Sequence, residues 1–360
     1  MNKVCLVIHS LGIGGMERVM SQLADNFSSR EKTIVDLILI GRKREIAYSL
    51  SSSIKIHRPP FQFDDNWRTI DTLRTIWFLR QKVKEIAPDT VLSFGEYWNN
   101  LVLLSLLGLS YPLFISDRSE PGKDLGKFQN FLRNSLYPKA AGYIAQTTHA
   151  KKACISNGWN SNIKVIGNPI MDIQPKSKVE KDNIVLSVGR LIKTKHFDQL
   201  IKMFVKLDIP GWKLVIVGGD AKKLSLSEDL KNLVNELGAE SSVFLEGEQK
   251  EIDVYYQKSK IFAFTSSSEG FPNVIGEALS AGLPVVSYDC VAGPSDLIED
   301  GENGYLVPLF DQETFKQKLK LLMEYEELRN IMGLKSAKYI KVYSKKNVAD
   351  QFYKFITGCA

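Results

Sequence analysis

Short runs of consecutive apolar residues alternate along the chain with longer segments whose apolar positions recur every three to four residues. The first pattern reads as strand buried on both faces, the second as amphipathic helix. In the first half this predicts strands near 3–9, 33–40, 53–57, 90–94, 112–116, 142–145 and 163–166, with helices near 15–29, 68–86, 97–108, 127–137 and 148–156. Asn168-Pro169 breaks the pattern, and the polar, unpatterned residues 174–183 read as an interdomain linker. A second series follows, with strands near 183–188, 212–218, 242–245, 261–264, 284–288 and 304–307 and helices near 196–206, 225–237, 250–257 and 273–281. Three helical segments, near 311–325, 326–341 and 346–357, close the chain. Alternating strands and helices call for parallel sheets covered on both faces. The expected fold is therefore α/β, two Rossmann-like doubly wound domains facing across a cleft, with ligands beyond the carboxyl ends of the strands.

Composition is consistent with this. With 360 residues, 44% of them hydrophobic, the chain can build two cores. The most apolar stretch, Leu101 to Leu109, ends at Ser110-Tyr111-Pro112 and falls short of the roughly 20 residues a spanning helix needs. Met1-Asn2-Lys3 runs straight into a strand without the pattern of a signal peptide, so a cytoplasmic location is expected. Cys5, Cys154, Cys290 and Cys359 lack paired spacing, which predicts reduced thiols and no metal site.

The net charge of +6 is uneven: residues 1–168 hold 22 Lys/Arg against 14 Asp/Glu (+8), and residues 169–360 hold 25 against 27 (−2). Many charges of the first half adjoin aromatics, as in Trp67-Arg68, Arg74 to Trp77-Phe78, and Lys123, Lys127, Phe128, Phe131 and Arg133. That pattern predicts contact with an anionic membrane surface, peripheral and on the inner face of the cell membrane. Solvated helix faces over an ordinary core are the alternative. Nucleic acid is not expected as a partner, because the charge is weak for the length and no recognised binding module is present.

The loops after the strands hold the candidate chemistry. Ser10-Leu11-Gly12-Ile13-Gly14-Gly15 opens a helix whose backbone N–H groups can approach a phosphate. A dinucleotide fingerprint would need a third glycine where Glu17 stands, and the second strand runs into Gly41-Arg42-Lys43-Arg44 without an acidic residue, which argues against a dehydrogenase. In the second half, Gly189-Arg190 and Lys195 flank a turn into a helix, where a guanidinium fork and an ammonium suit a diphosphate. Glu269-Gly270-Phe271-Pro272-Asn273-Val274 and Glu277 follow a buried strand, with Pro272 and Asn273 at a helix start. Three Glu pairs occur at this eight-residue spacing, and only Glu269/Glu277 lies on a Ser/Gly/Pro loop between strand and helix.

Gly14-Gly15 with Glu17-Arg18, Asn168-Pro169, Gly189-Arg190-Leu191 with Lys195, Val217-Gly218-Gly219, Glu269 to Ala278, Gly282-Leu283-Pro284-Val285 and Gly293-Pro294-Ser295-Asp296 occur in one order over nearly the whole chain. Together they resemble the retaining glycosyltransferase family 4 of GT-B fold, and the run Asp289 to Pro294 is similar to bacterial enzymes building surface polysaccharides or lipid-linked oligosaccharides. The resemblance implies an acceptor-binding domain at 1–168, a nucleotide-sugar-binding domain at 169–344, and a last helix near 345–360 that packs back on the first. It implies that Arg190 and Lys195 hold the donor diphosphate, that Glu269 contacts the donor sugar and Glu277 the ribose, and that Gly14, Gly15, Gly189, Gly270, Phe271, Pro272, Asn273 and Val274 line the donor. Asp117 and Arg118 fall in the acceptor loop. Arg118 stands where several members carry a histidine, so a histidine role does not carry over. A UDP-sugar as co-substrate, no cofactor or metal, and a lipid-linked or other glycan acceptor are expected. A nucleotide-sugar epimerase or hydrolase of this fold, or a non-catalytic nucleotide- or lipid-binding protein, are the alternatives.

Overall fold

The computed structural model describes residues 1–41, 45–173, 180–221 and 225–358. Arg42-Lys43-Arg44, most of the expected linker (174–179) and Cys359 lie outside the described residues. The chain divides into two compact units, one of residues 1–169 with 345–360 and one of residues 170–344. The break falls after Pro169, one residue beyond the expected boundary.

In the first unit the strands are β1 (Asn2–Ile8), β2 (Thr33–Leu39), β3 (Lys55–His57), β4 (Thr90–Phe94), β5 (Leu113–Ser116), β6 (Gly142–Ala145) and β7 (Ile163–Val165). The helices are α1 (Gly15–Ser28), α2 (Arg68–Ile86), α3 (Glu96–Leu106), α4 (Lys127–Leu136) and α5 (Thr148–Ser156). All seven strands pair in parallel, in the order β3-β2-β1-β4-β5-β6-β7. Val4 to Ile8 are fully buried because helices cover both faces of the central strand, which is why that strand is a continuous apolar run.

The second unit contains β8 (Ile184–Val188), β9 (Lys213–Val217), β10 (Val243–Gly247), β11 (Ile261–Phe264), β12 (Val285–Tyr288) and β13 (Gly304–Val307). Its helices are α6 (Phe197–Leu207), α7 (Leu226–Glu236), α8 (Ile252–Lys258), α9 (Asn273–Ser280), the single turn α10 (Pro294–Leu297), α11 (Gln312–Glu324) and α12 (Glu326–Tyr339). The strand order is β10-β9-β8-β11-β12-β13, again all parallel. One core, around Leu200, Leu214, Ile261 and Phe315, lies on one face of this sheet, and a second, around Leu186, Phe262, Ile275 and Leu279, on the other. The last helix, α13 (Lys345–Thr357), belongs to the first unit: Tyr353 bonds Asn2 and Thr33, Phe352 packs on Phe94, and Asp350 pairs with Arg30.

In each unit the first strand lies between the second and the fourth, so the chain leaves it in one direction and later returns on its other side. The strand order thus reverses between β1 and β4, and between β8 and β11. Such topological switch points are where open α/β sheets bind ligands.

Candidate functional site

At the second unit's switch point, the loop after β8 and the loop after β11 are stitched together by hydroxyl and amide groups. Thr265 Oγ1 donates to the Lys195 carbonyl at 2.7 Å, the Ser267 amide to Thr194 O at 2.8 Å, and Ser266 Oγ to Thr194 O at 3.2 Å. His196 sits in the left-handed region (φ 50°) with Nε2 2.9 Å from Ser267 Oγ, and this turns the chain into α6. The Lys195 ammonium pairs with the Glu269 carboxylate and lies 5.1 Å from the Phe264 ring centre, with both charged side chains largely buried. Two glycines permit this. A Cβ on Gly189 would stand 3.2 Å from Lys195 Cε, so the lysine stem lies directly over the glycine. A Cβ on Gly218, in the loop after β9, would stand 1.8 Å from the Gly189 carbonyl, so only glycine lets these two loops approach.

Arg190 extends into solvent from the same turn and makes no hydrogen bond or ion pair with any described residue. Phe271 and Pro272 are buried and lead into α9, whose first turn carries no side-chain cap. Gly293 (φ 101°) lets the next loop close on Pro272, since a Cβ there would lie 2.2 Å from Pro272 Cδ. Asn273 and Val274 begin α9 and are half-buried. Glu277 lies one turn inside α9 and is buried, and its Oε2 accepts from the Tyr256 hydroxyl at 3.1 Å. The thiol of Cys290 is buried; burial first, and the nearby Glu269 charge second, push it up to about 12, so it stays protonated.

The first unit holds a second cluster. Gly14 caps α1 in an extended conformation (φ 178°), and its amide donates to the Tyr48 hydroxyl at 3.1 Å while that hydroxyl donates to the Gly14 carbonyl at 2.8 Å. The amide offered to a phosphate by the sequence pattern thus already has a partner. Gly15 is the first residue of α1. His9, just past β1, stacks on Trp98 of α3 at 5.4 Å with the rings 2° from parallel, and its Nε2 lies 3.3 Å from Glu17 Oε1. Glu96 Oε1, at the start of α3, accepts from the Arg118 amide at 3.1 Å and from the Ser119 amide and hydroxyl at 2.8 and 2.6 Å.

Asp117 is enclosed by donors: Tyr137 Oη at 2.6 Å, Asn99 Nδ2 at 2.9 Å and Tyr143 Oη at 3.2 Å. Burial, with the Glu96 charge, raises its pKa to about 7. The Arg118 guanidinium lies 4.4 Å from the Phe94 ring centre and donates to Asn168 Oδ1 at 2.5 Å, and its Nε has no hydrogen-bond partner among the described residues. Burial lowers its pKa to about 9, which leaves it charged at neutral pH.

Residues 171–339 match the family model for glycosyl transferases group 1. A GalNAc-diNAcBac-diphospho-undecaprenol 4-alpha-N-acetylgalactosaminyltransferase of Campylobacter jejuni is 30% identical over 99% of this chain and 100% of its own length. The chain belongs to the group 1 glycosyltransferases. A lipopolysaccharide outer core galactosyltransferase, WaaB in its apo form, superposes with a TM-score of 0.80 at 22% identity and full coverage of both chains. HepE of Anabaena in complex with UDP gives 0.82 at 18% identity, covering 99% of this chain and all of HepE. The architecture of this glycosyltransferase is accordingly GT-B, two Rossmann-like parallel-sheet domains.

Among the described residues of the glycosyltransferase, no group of three or more His, Cys, Asp or Glu could hold a metal ion, and no helix is long and apolar enough to cross a membrane. The sequence patterns passed over Glu96, Tyr48 and Tyr256. Glu96 had a legible signal: it follows a glycine at the end of a buried strand, as Glu269 follows a buried strand. Tyr48 and Tyr256 had none, since their partners are 34 and 21 residues away.

Proposed function

We propose that this glycosyltransferase moves a hexose or N-acetylhexosamine from UDP to a glycan acceptor, with retention of anomeric configuration. The observation that supports it most is the Lys195–Glu269 pair lying over Gly189 where the β8 and β11 loops meet. In the reaction the bond between the anomeric carbon and the diphosphate oxygen breaks, and the electron pair leaves with UDP. The acceptor hydroxyl oxygen bonds to the same carbon from the leaving-group side, and its proton passes to a diphosphate oxygen. Lys195 and the solvent-facing Arg190 neutralise the growing charge on UDP as preorganised donors. Glu269 orients the donor sugar and holds the Lys195 ammonium in place, and Glu277, steadied by Tyr256, takes the ribose. The first unit receives the acceptor, with Arg118 as its cation. A lipid-linked acceptor is supported by the Campylobacter relative, whose name specifies an undecaprenol diphosphate.

The test is a panel of nucleotide sugars, each assayed for nucleotide release in the presence of EDTA, with and without an undecaprenol-linked glycan, and with the product's anomeric configuration read by NMR. UDP release that depends on acceptor, persists in EDTA and yields the donor's own anomer is expected. An inverted product would overturn the retaining reading, and an acceptor-independent conversion of the sugar would point to an epimerase or hydrolase.

A further inference from the structure

The helices α2 and α3, and α3 and α4, pack side by side in the first unit, forming one layer against its sheet. The inner face of α2 buries Asp71, Thr75, Phe78, Leu79 and Val83. The opposite side of that helix is apolar as well over its first three turns. Ile70, Leu73 and Trp77 recur there at helical spacing, with Trp67 in the turn before them, and these four are 47%, 61%, 66% and 60% exposed, respectively. In the same layer α4 exposes Phe128 (69%) and Phe131 (66%), one turn apart. Exposed single hydrophobes are ordinary, but a stripe along one helix with two more aromatics on the same helical layer is a binding face.

We propose that this face inserts into the lipid bilayer, with α2 lying in the interfacial plane and α4 adding its two phenylalanines. The residues beside the stripe favour lipid over a protein partner: Arg68, Arg74 and Lys84 on α2 and Lys127 on α4 are exposed. A tryptophan–aliphatic stripe bordered by cations fits the acyl–headgroup boundary of an anionic membrane. Insertion of the aromatics goes beyond the peripheral contact with an anionic surface that the sequence predicts for these basic–aromatic segments. Arg133 cannot take part, because its side chain is buried 4.2 Å from the Trp159 ring centre and donates to Lys123 O and Asn130 Oδ1. The biological use of the face, bringing the enzyme to its acceptor, rests on the lipid-linked reading given above.

The full-length protein is tested on vesicles of phosphatidylcholine with 30 mol% phosphatidylglycerol, some carrying brominated acyl chains, at about 0.1 M and about 1 M salt. At the higher concentration the Debye length falls to about 3 Å and purely Coulombic attraction is lost. Trp98 is half-buried and Trp159 and Trp212 are buried, so quenching by the bromines reports chiefly on Trp67 and Trp77. The expected result is binding that survives 1 M salt, with quenched fluorescence. Leu73→Gln with Trp77→Gln should cut vesicle partition at least tenfold while leaving thermal stability and transfer to a soluble acceptor analogue unchanged. Binding abolished by salt without quenching, or a variant that binds as tightly as the parent, would overturn insertion. So would a dimer that dissociates in the variant, which would mean that a second copy covers the face. Vesicle binding without transfer to any lipid-linked glycan would leave insertion standing and remove the acceptor reading. Transfer in detergent without vesicle binding would do the reverse.

Discussion

At the scale of single residues, the proposed donor site is a set of charges held in place by backbone contacts from neighbouring loops. Replacing Lys195 by alanine removes one charge and leaves Glu269 largely buried without its partner. A charge-assisted hydrogen bond contributes about 1.5–3 kcal/mol, so Lys195→Ala and Arg190→Ala should each lower kcat/KM at least tenfold. Lys195→Ala should also loosen the loop after β11. Steady-state kinetics with the preferred UDP-sugar check this, and unchanged rates in both variants would contradict the assignment. Asp117 gives a prediction of another kind. Its folded pKa of about 7 lies above the ordinary carboxylate value, so between roughly pH 4 and 7 the folded chain holds more protons than the unfolded one. Its contribution to stability is therefore full at low pH and declines as pH rises through that window. Melting of the Asp117→Asn variant from pH 5 to 8 should show a flatter slope than the parent, and equal slopes would show that another group titrates there.

At the scale of elements, loops fix the site more than helices do. The turn after β8 and the turn after β9 meet at Gly189 and Gly218 with no room for a side chain, as the Leu191 amide bonds the Gly219 carbonyl at 2.9 Å. Gly218→Ala should cost about 1–3 kcal/mol in urea unfolding, as overpacking of a tight contact does. It should also weaken UDP binding, because Gly189 and Lys195 move with that carbonyl. A variant of parental stability and affinity would mean that the loops yield freely. On α4, two basic residues six positions apart have opposite fates. Lys127 is exposed, whereas Arg133 packs on Trp159. Lys127→Glu should leave the melting temperature nearly unchanged, and Arg133→Glu should destabilise by more than about 2 kcal/mol, since it buries an unpaired charge and abandons two acceptors. Equal effects in calorimetry would refute the distinction.

At the scale of the whole molecule, the chain crosses from the second unit back to the first through α13. That helix buries Val348, Ala349, Phe352, Tyr353 and Ile356, and its Tyr353 hydroxyl meets both β2 and the start of β1. Burying one such side chain contributes about 1.5–3 kcal/mol, so truncation after Ser344 should remove much of the first unit's stability, which is only about 5–15 kcal/mol for a typical domain. The expected outcome is an early calorimetric transition, or aggregation, with a later transition that UDP still raises. A truncated protein that melts as the parent does would show that α13 is dispensable.

Much of this architecture was legible from the chain alone. The apolar runs of β1, β4, β8 and β11 marked strands because strands buried on both faces need no polar alternation, and glycine and proline marked the turns because the backbone there admits few other residues. The order of the motifs was enough to identify the family. Local patterns could not reveal which polar groups meet across the fold. Tyr48 on Gly14, Tyr256 on Glu277 and the donors around Asp117 are joined by tertiary approach, and no short-range spacing encodes them. The two faces of α2 show the same limit: apolar residues recur on two sides of that helix, and only packing against the sheet decided which stripe is buried and which, from Ile70 to Trp77, is left to meet another surface.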